Sequence, residues 1–162
     1  MTAKRGASLP AAAGLRLRAE DAEDLAVISA CLQDALVSVR DLAYDRAAGT
    51  FMLAANRFRW EGRRDSGAAP FERTLCGLTF ESVVGIAYRG FQRKDEERIL
   101  SLLAIKPVAG EWQAGSGTTV DLEFAGGATI RLSATAIRCR TRDFGEPWPT
   151  AWQPGHALDE EP

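Results

Sequence analysis

The stretch Thr118–Arg142, TTVDLEFAGGATIRLSATAIRCRTR, decides the fold because it carries a strong β-hairpin pattern. Val120, Leu122 and Phe124 alternate with acidic residues, and a second alternating run follows at 130–133. Strict alternation of apolar and polar residues is typical of a half-buried strand. The stretch therefore predicts two strands that each bury one face.

The linker Ala125–Gly127 fixes how these two strands pair. A three-residue loop with glycine in the left-handed conformation sets Leu122 opposite Ile130, with both side chains on the buried face. A two-residue turn would instead oppose residues that belong on different faces. Because burial specifies register, we predict the longer loop. The predicted pairs are Phe124 with Ala128, Leu122 with Ile130, Val120 with Leu132 and, as an ion pair on the solvent-exposed face, Asp121 with Arg131.

Beyond Leu132 the phase of the alternation slips by one residue, which predicts a bulge, a corner or a helical turn within Ala134–Ala136. After it, Arg138, Arg140 and Arg142 fall on one face of a strand. Such a stripe suits a surface that binds anions or nucleic acid. It is also typical of a solvated strand face or of a sheet edge protected by charge, and the charge pattern alone favours that second interpretation.

The start of the chain consists of a segment without periodicity followed by one short predicted strand. Residues 1–14 show no periodicity and are expected to be disordered. Leu15 and Leu17 then alternate with Arg16 and Arg18, which predicts a short strand.

One amphipathic helix is predicted over Ala22–Leu36, with Asp21 as its N-cap. Its apolar face consists of Leu25, Ile28, Cys31, Leu32, Ala35 and Leu36. Acidic residues crowd the first turn, where the helix dipole favours negative charge. We therefore interpret the acidic cluster as capping and not as a metal site.

Further strands are predicted over Val37–Tyr44, Thr50–Trp60, Thr74–Phe80, Val83–Arg89 and Ile99–Ile105. The first two are expected to form a hairpin. The second should carry a bulge near Ala54–Asn56, because its apolar residues change face there. The last is apolar on both faces, which suits a central strand covered by the helix.

Together these elements predict a mainly β (α+β) fold. We expect a curved antiparallel sheet, arranged as a small sandwich or a partly open barrel, with one N-terminal amphipathic helix packed on it. Residues 15–145 should form a single β-rich domain. Residues 146–162 should form a tail that contains proline and tryptophan and then becomes acidic.

The composition narrows the function classes. The chain has 162 residues and a net charge of −2, enough for one domain with a core and without the basic excess of a dedicated nucleic-acid binder. No segment approaches the ~20 apolar residues of a membrane span. Polar and helix-breaking residues interrupt any signal peptide near the start. We expect a cytoplasmic protein.

The sequence offers little to a catalytic mechanism. The sole histidine, His156, lies in the tail, whereas a nucleophile–base pair needs a histidine held by the fold. Cys31, Cys76 and Cys139 are far apart and form no C-x-x-C motif, so we expect buried, reduced thiols. We predict no catalytic residue, no metal site and no cofactor.

Arginines interleaved with aromatic residues are the most suggestive surface feature. The candidate binding residues are Arg57, Arg59, Trp60, Arg138, Arg140, Arg142, Trp148 and Trp152. Stacking rings beside guanidinium groups hold single-stranded RNA. Arginine and tryptophan also dominate protein interfaces. Alternation alone can produce the same pattern from a core aromatic residue flanked by solvated arginines.

Three runs carry a resemblance to a known family: LQDALVSVRDLAYDRAAGTFMLAANRFRWE at 32–61, LLAIKP at 102–107 and RTRDFGEPWPTAWQPGHA at 140–157. The chain resembles the bacterial domain of unknown function 2948, found in alphaproteobacteria, over about Leu15 to Ala157. The resemblance implies a cytoplasmic bacterial protein with a stand-alone single domain. It supplies no activity and no catalytic residue.

These observations support three hypotheses about function. The first is a non-enzymatic interaction domain that binds a protein partner, since the chain lacks a catalytic constellation and has a Trp- and Pro-containing tail. The alternative is a module that binds RNA or another polyanion through its basic-aromatic strand faces. The second alternative is an enzyme of unrecognised type.

Overall fold

The predicted hairpin forms in the register that its alternation required. Leu122 pairs with Ile130, and the Phe124 N–H donates to the Ala128 carbonyl oxygen at 2.9 Å. Gly126 has a φ of 84°, the left-handed conformation that the three-residue loop needs. Alternation and the two loop glycines were therefore sufficient to specify this part of the sheet.

The computed structural model of the protein describes residues 14–63, 71–109, 117–151 and 154. Its strands are β1 (Arg16–Ala19), β2 (Leu36–Ser38), β3 (Leu42–Asp45), β4 (Thr50–Phe58), β5 (Phe71–Phe80), β6 (Val83–Arg89), β7 (Ile99–Val108), β8 (Thr118–Phe124), β9 (Thr129–Ala134) and β10 (Cys139–Thr150). The helix is α1 (Ala22–Cys31), and three 3₁₀ turns cover Val39–Asp41, Trp60–Arg63 and Ala125–Gly127. Nearly all of the expected disordered segment 1–14 and the end of the expected tail lie outside the described residues.

The ten strands form one open antiparallel path in the order β1-β10-β5-β4-β2-β7-β8-β9-β6, with β3 attached to β4. This arrangement confirms the predicted mainly β fold, with a helix packed on an antiparallel sheet. The sheet does not close into a barrel. The first and last strands of the chain are neighbours, which brings residues far apart in sequence onto one surface. β10 continues beyond the expected domain end at residue 145 to Thr150.

Helix α1 begins where the sequence indicated. Asp21 is its N-cap and accepts a hydrogen bond from the Asp24 N–H at 2.8 Å. Leu25 and Ile28 are completely buried against the sheet, and each such side chain contributes roughly 1.5–3 kcal/mol of hydrophobic stabilisation. No helix in the described part of the chain is long and apolar enough to span a membrane.

The helix ends at Cys31, so the predicted end at Leu36 is wrong. Asp34 adopts a φ of 66°, which no α-helix can continue. Its N–H donates to the Leu102 carbonyl oxygen at 2.7 Å, and the Leu102 N–H donates to the Ala35 carbonyl oxygen at 2.8 Å. These bonds draw the chain into the sheet beside β7, so tertiary pairing overrides the helical spacing.

The predicted bulge near Ala54–Asn56 is also wrong. β4 pairs with β5 without interruption from Phe51 to Phe58. The alternation of buried positions continues through residue 57, where the buried side chain is an arginine. Arg57 therefore occupies a core-facing position that the apolar pattern had assigned to solvent.

Two further strand predictions need correction. The expected strand Val37–Tyr44 is divided by the 3₁₀ turn Val39–Asp41, and its second part, β3, forms the hairpin with β4. β7 is central in the sheet as expected. However, its residues Ile99 and Leu103 are exposed, so only one of its faces is covered throughout.

The predicted cross-strand ion pair is present, but its carboxylate is buried while its arginine side chain is partly exposed. Arg131 Nε and Nη2 donate to the two Asp121 carboxylate oxygens at 2.8 and 2.9 Å, while Asp121 is only 5% exposed. β8 lies between β7 and β9, which set Lys106 and Arg131 on either side of Asp121. Long flanking side chains of this kind shield a short carboxylate from water.

Candidate functional site

Strand β10 separates its side chains cleanly between its two faces. Arg140 and Arg142 are exposed, whereas Cys139 and Thr141 are buried. Arg138, just before the strand, is exposed as well. The strand periodicity of two therefore produces the arginine stripe that the sequence predicted.

Strand β1 adds two more arginines to the same face. Arg16 lies directly opposite Arg142, and Arg18 lies opposite Arg140. The Asp143 N–H donates to the Leu15 carbonyl oxygen at 2.9 Å. Because hydrogen-bonded and non-hydrogen-bonded pairs alternate along an antiparallel ladder, both arginine pairs are non-hydrogen-bonded, with Cα atoms about 4.5 Å apart and side chains close together. We call Arg16, Arg18, Arg140 and Arg142 the arginine face.

Little on the protein neutralises this charge. Arg140 Nη1 forms an ion pair with Glu81 Oε2 at 2.6 Å. Among the residues that the structure describes, none forms an ion pair or side-chain hydrogen bond with Arg16, Arg18 or Arg142. Like charges directly opposite each other destabilise a sheet, so the arginine face is an arrangement that an anionic ligand would relieve.

A groove of about 660 Å³ runs along the arginine face. Its floor is formed by small residues of β5, Gly77 and Thr79, with Phe144 at one end. A Cβ atom at Gly77 would approach nothing closer than Phe144 Cε1 at 3.8 Å, so the space above the floor is open. The volume is within the range of small-ligand sites.

Exposed apolar side chains border the arginine face. Met52, Leu75 and Phe144 are 43%, 38% and 44% exposed. Leu75 lies opposite Phe144, and Met52 lies opposite Thr79, so all three share the outer face of β10, β5 and β4. We call these three residues the apolar rim. The surface thus combines uncompensated positive charge with apolar contact area.

The opposite side of β10 holds a buried ionic network around Arg57. Arg57 is 0% exposed. Its Nε and Nη2 donate to the Asp143 carboxylate at 2.8 and 2.7 Å, and its Nη1 and Nη2 donate to Glu61 at 3.1 and 2.6 Å. The Leu15 N–H also donates to Asp143 Oδ2 at 2.8 Å. We call Arg57, Asp143 and Glu61 the buried network; Arg57 and the Asp143 side chain are buried, and Glu61 closes the network at the surface.

Each carboxylate in the buried network is held in its charged form. Burial alone would raise the pKa of Asp143, but hydrogen bonds from Arg57 and from the Leu15 N–H lower it below its ordinary value. Burial likewise opposes ionisation of Glu61, and the Arg57 hydrogen bonds again leave its pKa lowered. Burial disfavours the Arg57 cation, yet the two carboxylates raise its pKa. Arg57 is therefore a fully paired structural cation.

The other predicted binding residues lie away from the arginine face. Arg59 is mostly buried and forms ion pairs with Glu72 and Glu61. Trp60 packs edge-on against Phe58 at 4.7 Å between ring centroids, and its Nε1 donates to the Gln33 carbonyl oxygen at 3.3 Å.

Of the two tail tryptophans, only Trp148 lies within the described residues. Trp148 is partly buried and lies opposite Arg73 across β10 and β5. Trp152 lies outside the described residues. Of the eight predicted residues, the structure gathers only Arg140 and Arg142 on the arginine face, with Arg138 in a small depression beside Arg18 and Glu81.

Sequence reasoning missed Arg16, Arg18 and Asp143 as parts of this region. The pairing of β1 with β10 spans almost the whole chain, and no local pattern encodes it. One signal was available: the spacing Arg16-x-Arg18 matches Arg140-x-Arg142, as expected of two strands that present the same face.

The thiols are not activated. Cys76 and Cys139 are buried, and burial raises their pKa values to about 11 and about 12. Burial also raises the pKa of Cys31. All three thiols are thus protonated near neutral pH, whereas a nucleophilic cysteine needs a lowered pKa. Within the described ranges, no three His, Cys, Asp or Glu residues are grouped so as to hold a metal ion.

Comparisons with known proteins identify the family. No curated protein and no solved structure matches the chain. The family described as Protein of unknown function (DUF2948) matches residues 15–156. This match spans nearly all of the described fold, including both strands of the arginine face. The chain therefore belongs to the family described as Protein of unknown function (DUF2948).

Proposed function

We propose that the protein is a non-enzymatic interaction domain that binds an acidic segment of a protein partner on the arginine face. The observation that carries this proposal is the charge of Arg16, Arg18 and Arg142, for which the described residues provide no ionic partner and which the fold holds in two like-charge rows. A carboxylate placed between two opposed guanidinium groups accepts charge-assisted hydrogen bonds from both. Binding would therefore remove a repulsion and add strong polar contacts in one step.

The apolar rim favours a protein ligand over RNA. Phe144 is the one aromatic residue among the described residues that line the groove, whereas single-stranded RNA is held by successive bases stacked on several rings. Met52 and Leu75 offer aliphatic contact area instead. Arginines beside exposed apolar side chains are typical of protein interfaces.

The net charge supports the same choice. A chain of net charge −2 carries more acidic than basic residues, so its positive potential is local to surfaces such as the arginine face. A short acidic peptide segment would experience that local potential. A long polyanion would also meet the acidic remainder of the surface, which repels it.

Fluorescence anisotropy with three probes of equal length tests the proposal. The probes are a labelled peptide that alternates glutamate with valine, its glutamine analogue and an oligouridine. We expect the glutamate peptide to bind most tightly and its affinity to fall as salt is raised. The proposal is overturned if the glutamine analogue binds equally well, or if oligouridine binds more tightly than the glutamate peptide.

Charge reversal locates the site. The double variant Arg16→Glu/Arg142→Glu should bind the glutamate peptide at least about tenfold more weakly, because it places carboxylates against carboxylates. The matched control is Arg89→Glu/Lys94→Glu, which also reverses two exposed charges, one on β6 and one in the turn after it, at the other end of the sheet path. The control should retain the affinity of the unaltered protein. Equal losses in both variants would mean that general charge, and not this face, governs binding.

A further inference from the structure

Strand β1 is an edge whose outward backbone groups have no hydrogen-bond partner among the described residues. It ends the sheet path, and among the described residues it pairs with β10 alone. The hydrogen-bonded pairs with β10 fall at Leu15, Leu17 and Ala19, as the Asp143 N–H to Leu15 carbonyl bond requires. The backbone N–H and C=O groups of Arg16 and Arg18 therefore point away from β10, toward the free edge.

We infer that the acidic partner segment adds to β1 as a further β-strand, so that it is recognised through its backbone as well as its charge. This inference rests on the proposed function. Such strand addition supplies affinity through main-chain hydrogen bonds and specificity through alternate side chains. The added strand runs antiparallel to β1, so that Arg16 and Arg18 would each exchange two backbone hydrogen bonds with the residue opposite.

The register of β1 dictates the chemistry of the added strand. Residues directly opposite each other share a face of the sheet, so the partner residues facing Arg16 and Arg18 would lie on the arginine face and should be acidic. The partner residue between them would face Leu17, whose side chain is partly buried and packs against the core. That position should be apolar. The expected partner pattern is thus acidic–apolar–acidic.

The same charges argue against other occupants of this edge. A charged edge strand normally resists the addition of neutral strands. A second copy of β1, paired antiparallel about Leu17, would set Arg16 against Arg18 and repeat the repulsion already present with β10. Only an acidic strand relieves both like-charge rows. Its acidic side chains beside Arg16 and Arg18 would lie next to the groove that Arg140 and Arg142 also line.

Backbone N-methylation of the probe peptide tests the inference without altering the protein. In the peptide that alternates glutamate and valine, the glutamates must face Arg16 and Arg18, so their N–H groups donate to β1. N-methylation of two glutamates should weaken binding at least about tenfold, since two backbone hydrogen bonds are lost. N-methylation of two valines, whose N–H groups point away from β1, is the matched control and should leave the affinity nearly unchanged.

The outcomes distinguish a failure of the inference alone from a failure of the proposed function. If the glutamate-methylated peptide alone loses affinity, strand addition on β1 is supported. If both methylated peptides bind like the parent, the segment docks by its side chains alone, and strand addition is overturned while the proposed function stands. If the unmodified glutamate peptide itself does not bind, both proposals fall. Concentration-dependent dimers of the free protein that Arg18→Glu abolishes would also overturn the inference, because the edge would then be occupied by a second copy.

Discussion

Arg57 and Arg142 are both strand arginines, yet their surroundings differ completely. Arg57 is buried and donates to two carboxylates, whereas Arg142 is exposed, lies opposite Arg16 and has no ionic partner in the described chain. A buried charge is tolerated only when it is paired and hydrogen-bonded. An exposed charge is tolerated without a partner because water solvates it. The contrast separates an arginine that holds the fold from one that is available to a ligand.

The two regions are joined through adjacent residues. Asp143 follows Arg142 in β10, and its carboxylate accepts hydrogen bonds from Arg57 and from the Leu15 N–H. Leu15 immediately precedes Arg16. The buried network therefore fastens the start of β1 to β10 and β4, and in doing so it positions the arginine face.

The largest effect is expected from breaking the buried network. Asp143→Ala leaves the Arg57 cation in the interior with only half of its carboxylate partners, and breaking a buried ion pair from one side costs about 3–5 kcal/mol. Urea unfolding near neutral pH measures the loss. The neighbouring substitution Arg142→Ala removes an exposed side chain and its repulsion with Arg16, so it should change the free energy of unfolding by less than about 1 kcal/mol in either direction. Similar costs for the two variants would contradict the contrast between the regions.

Acid should weaken the buried network, because its two carboxylates must be ionised to pair with Arg57. The pKa values of Asp143 and Glu61 are lowered in the folded protein from ordinary values of 3.8 and 4.5. Their contribution to stability is thus fully present above those values and is lost as the pH falls through the lower folded pKa values. We expect the free energy of unfolding to fall on acidification below about pH 4, and to fall less in Asp143→Asn.

Urea unfolding across this pH range compares the three proteins. Arg142→Ala, which retains both carboxylates, should follow the unaltered protein. An Asp143→Asn variant with the same pH dependence as the unaltered protein would show that Asp143 does not carry the acid sensitivity.

The parts of the fold that could be predicted are those encoded locally. Alternation around Gly126 specified the β8–β9 register, and Asp21 specified the start of α1. The predictions failed where contacts with residues distant in the sequence determine the local structure. The helix ends early because Ala35 and Asp34 bond to Leu102. No local pattern around these residues reveals a partner strand so far along the chain.

The candidate site also contains one feature that is encoded locally and one that depends on residues distant in the sequence. The stripe of Arg140 and Arg142 followed from strand periodicity alone. Arg57, in contrast, was expected at the surface because charged residues are almost never fully buried unless paired. Its pair, Asp143, lies 86 residues further along the chain. General principles predict that burying an arginine is unfavourable, but the sequence does not reveal which distant carboxylate compensates for it.

The smallest expected effect is a gain in stability from relieving the arginine face. Arg16→Thr or Arg142→Thr removes one member of a directly opposed like-charge pair and keeps a residue that favours strands. Each single variant should be more stable by roughly 0.2–1 kcal/mol at low salt, and the gain should shrink as salt screens the repulsion.

A double-mutant cycle on Arg16 and Arg142 isolates that repulsion from other effects of the substitutions. If the two guanidinium groups repel each other, removing the second after the first should bring no comparable gain, so the two stabilisations should not add. The matched pair Arg18 and Arg140 should show a smaller gain, because Glu81 already neutralises Arg140 at 2.6 Å. Additive gains at both pairs would mean that the arginines act independently, and the face would then lack the stored repulsion that an acidic segment is proposed to relieve. A non-additive gain in stability at Arg16 and Arg142, accompanied by weaker binding of the glutamate peptide, would show that the arginines that repel each other are also those that bind the peptide.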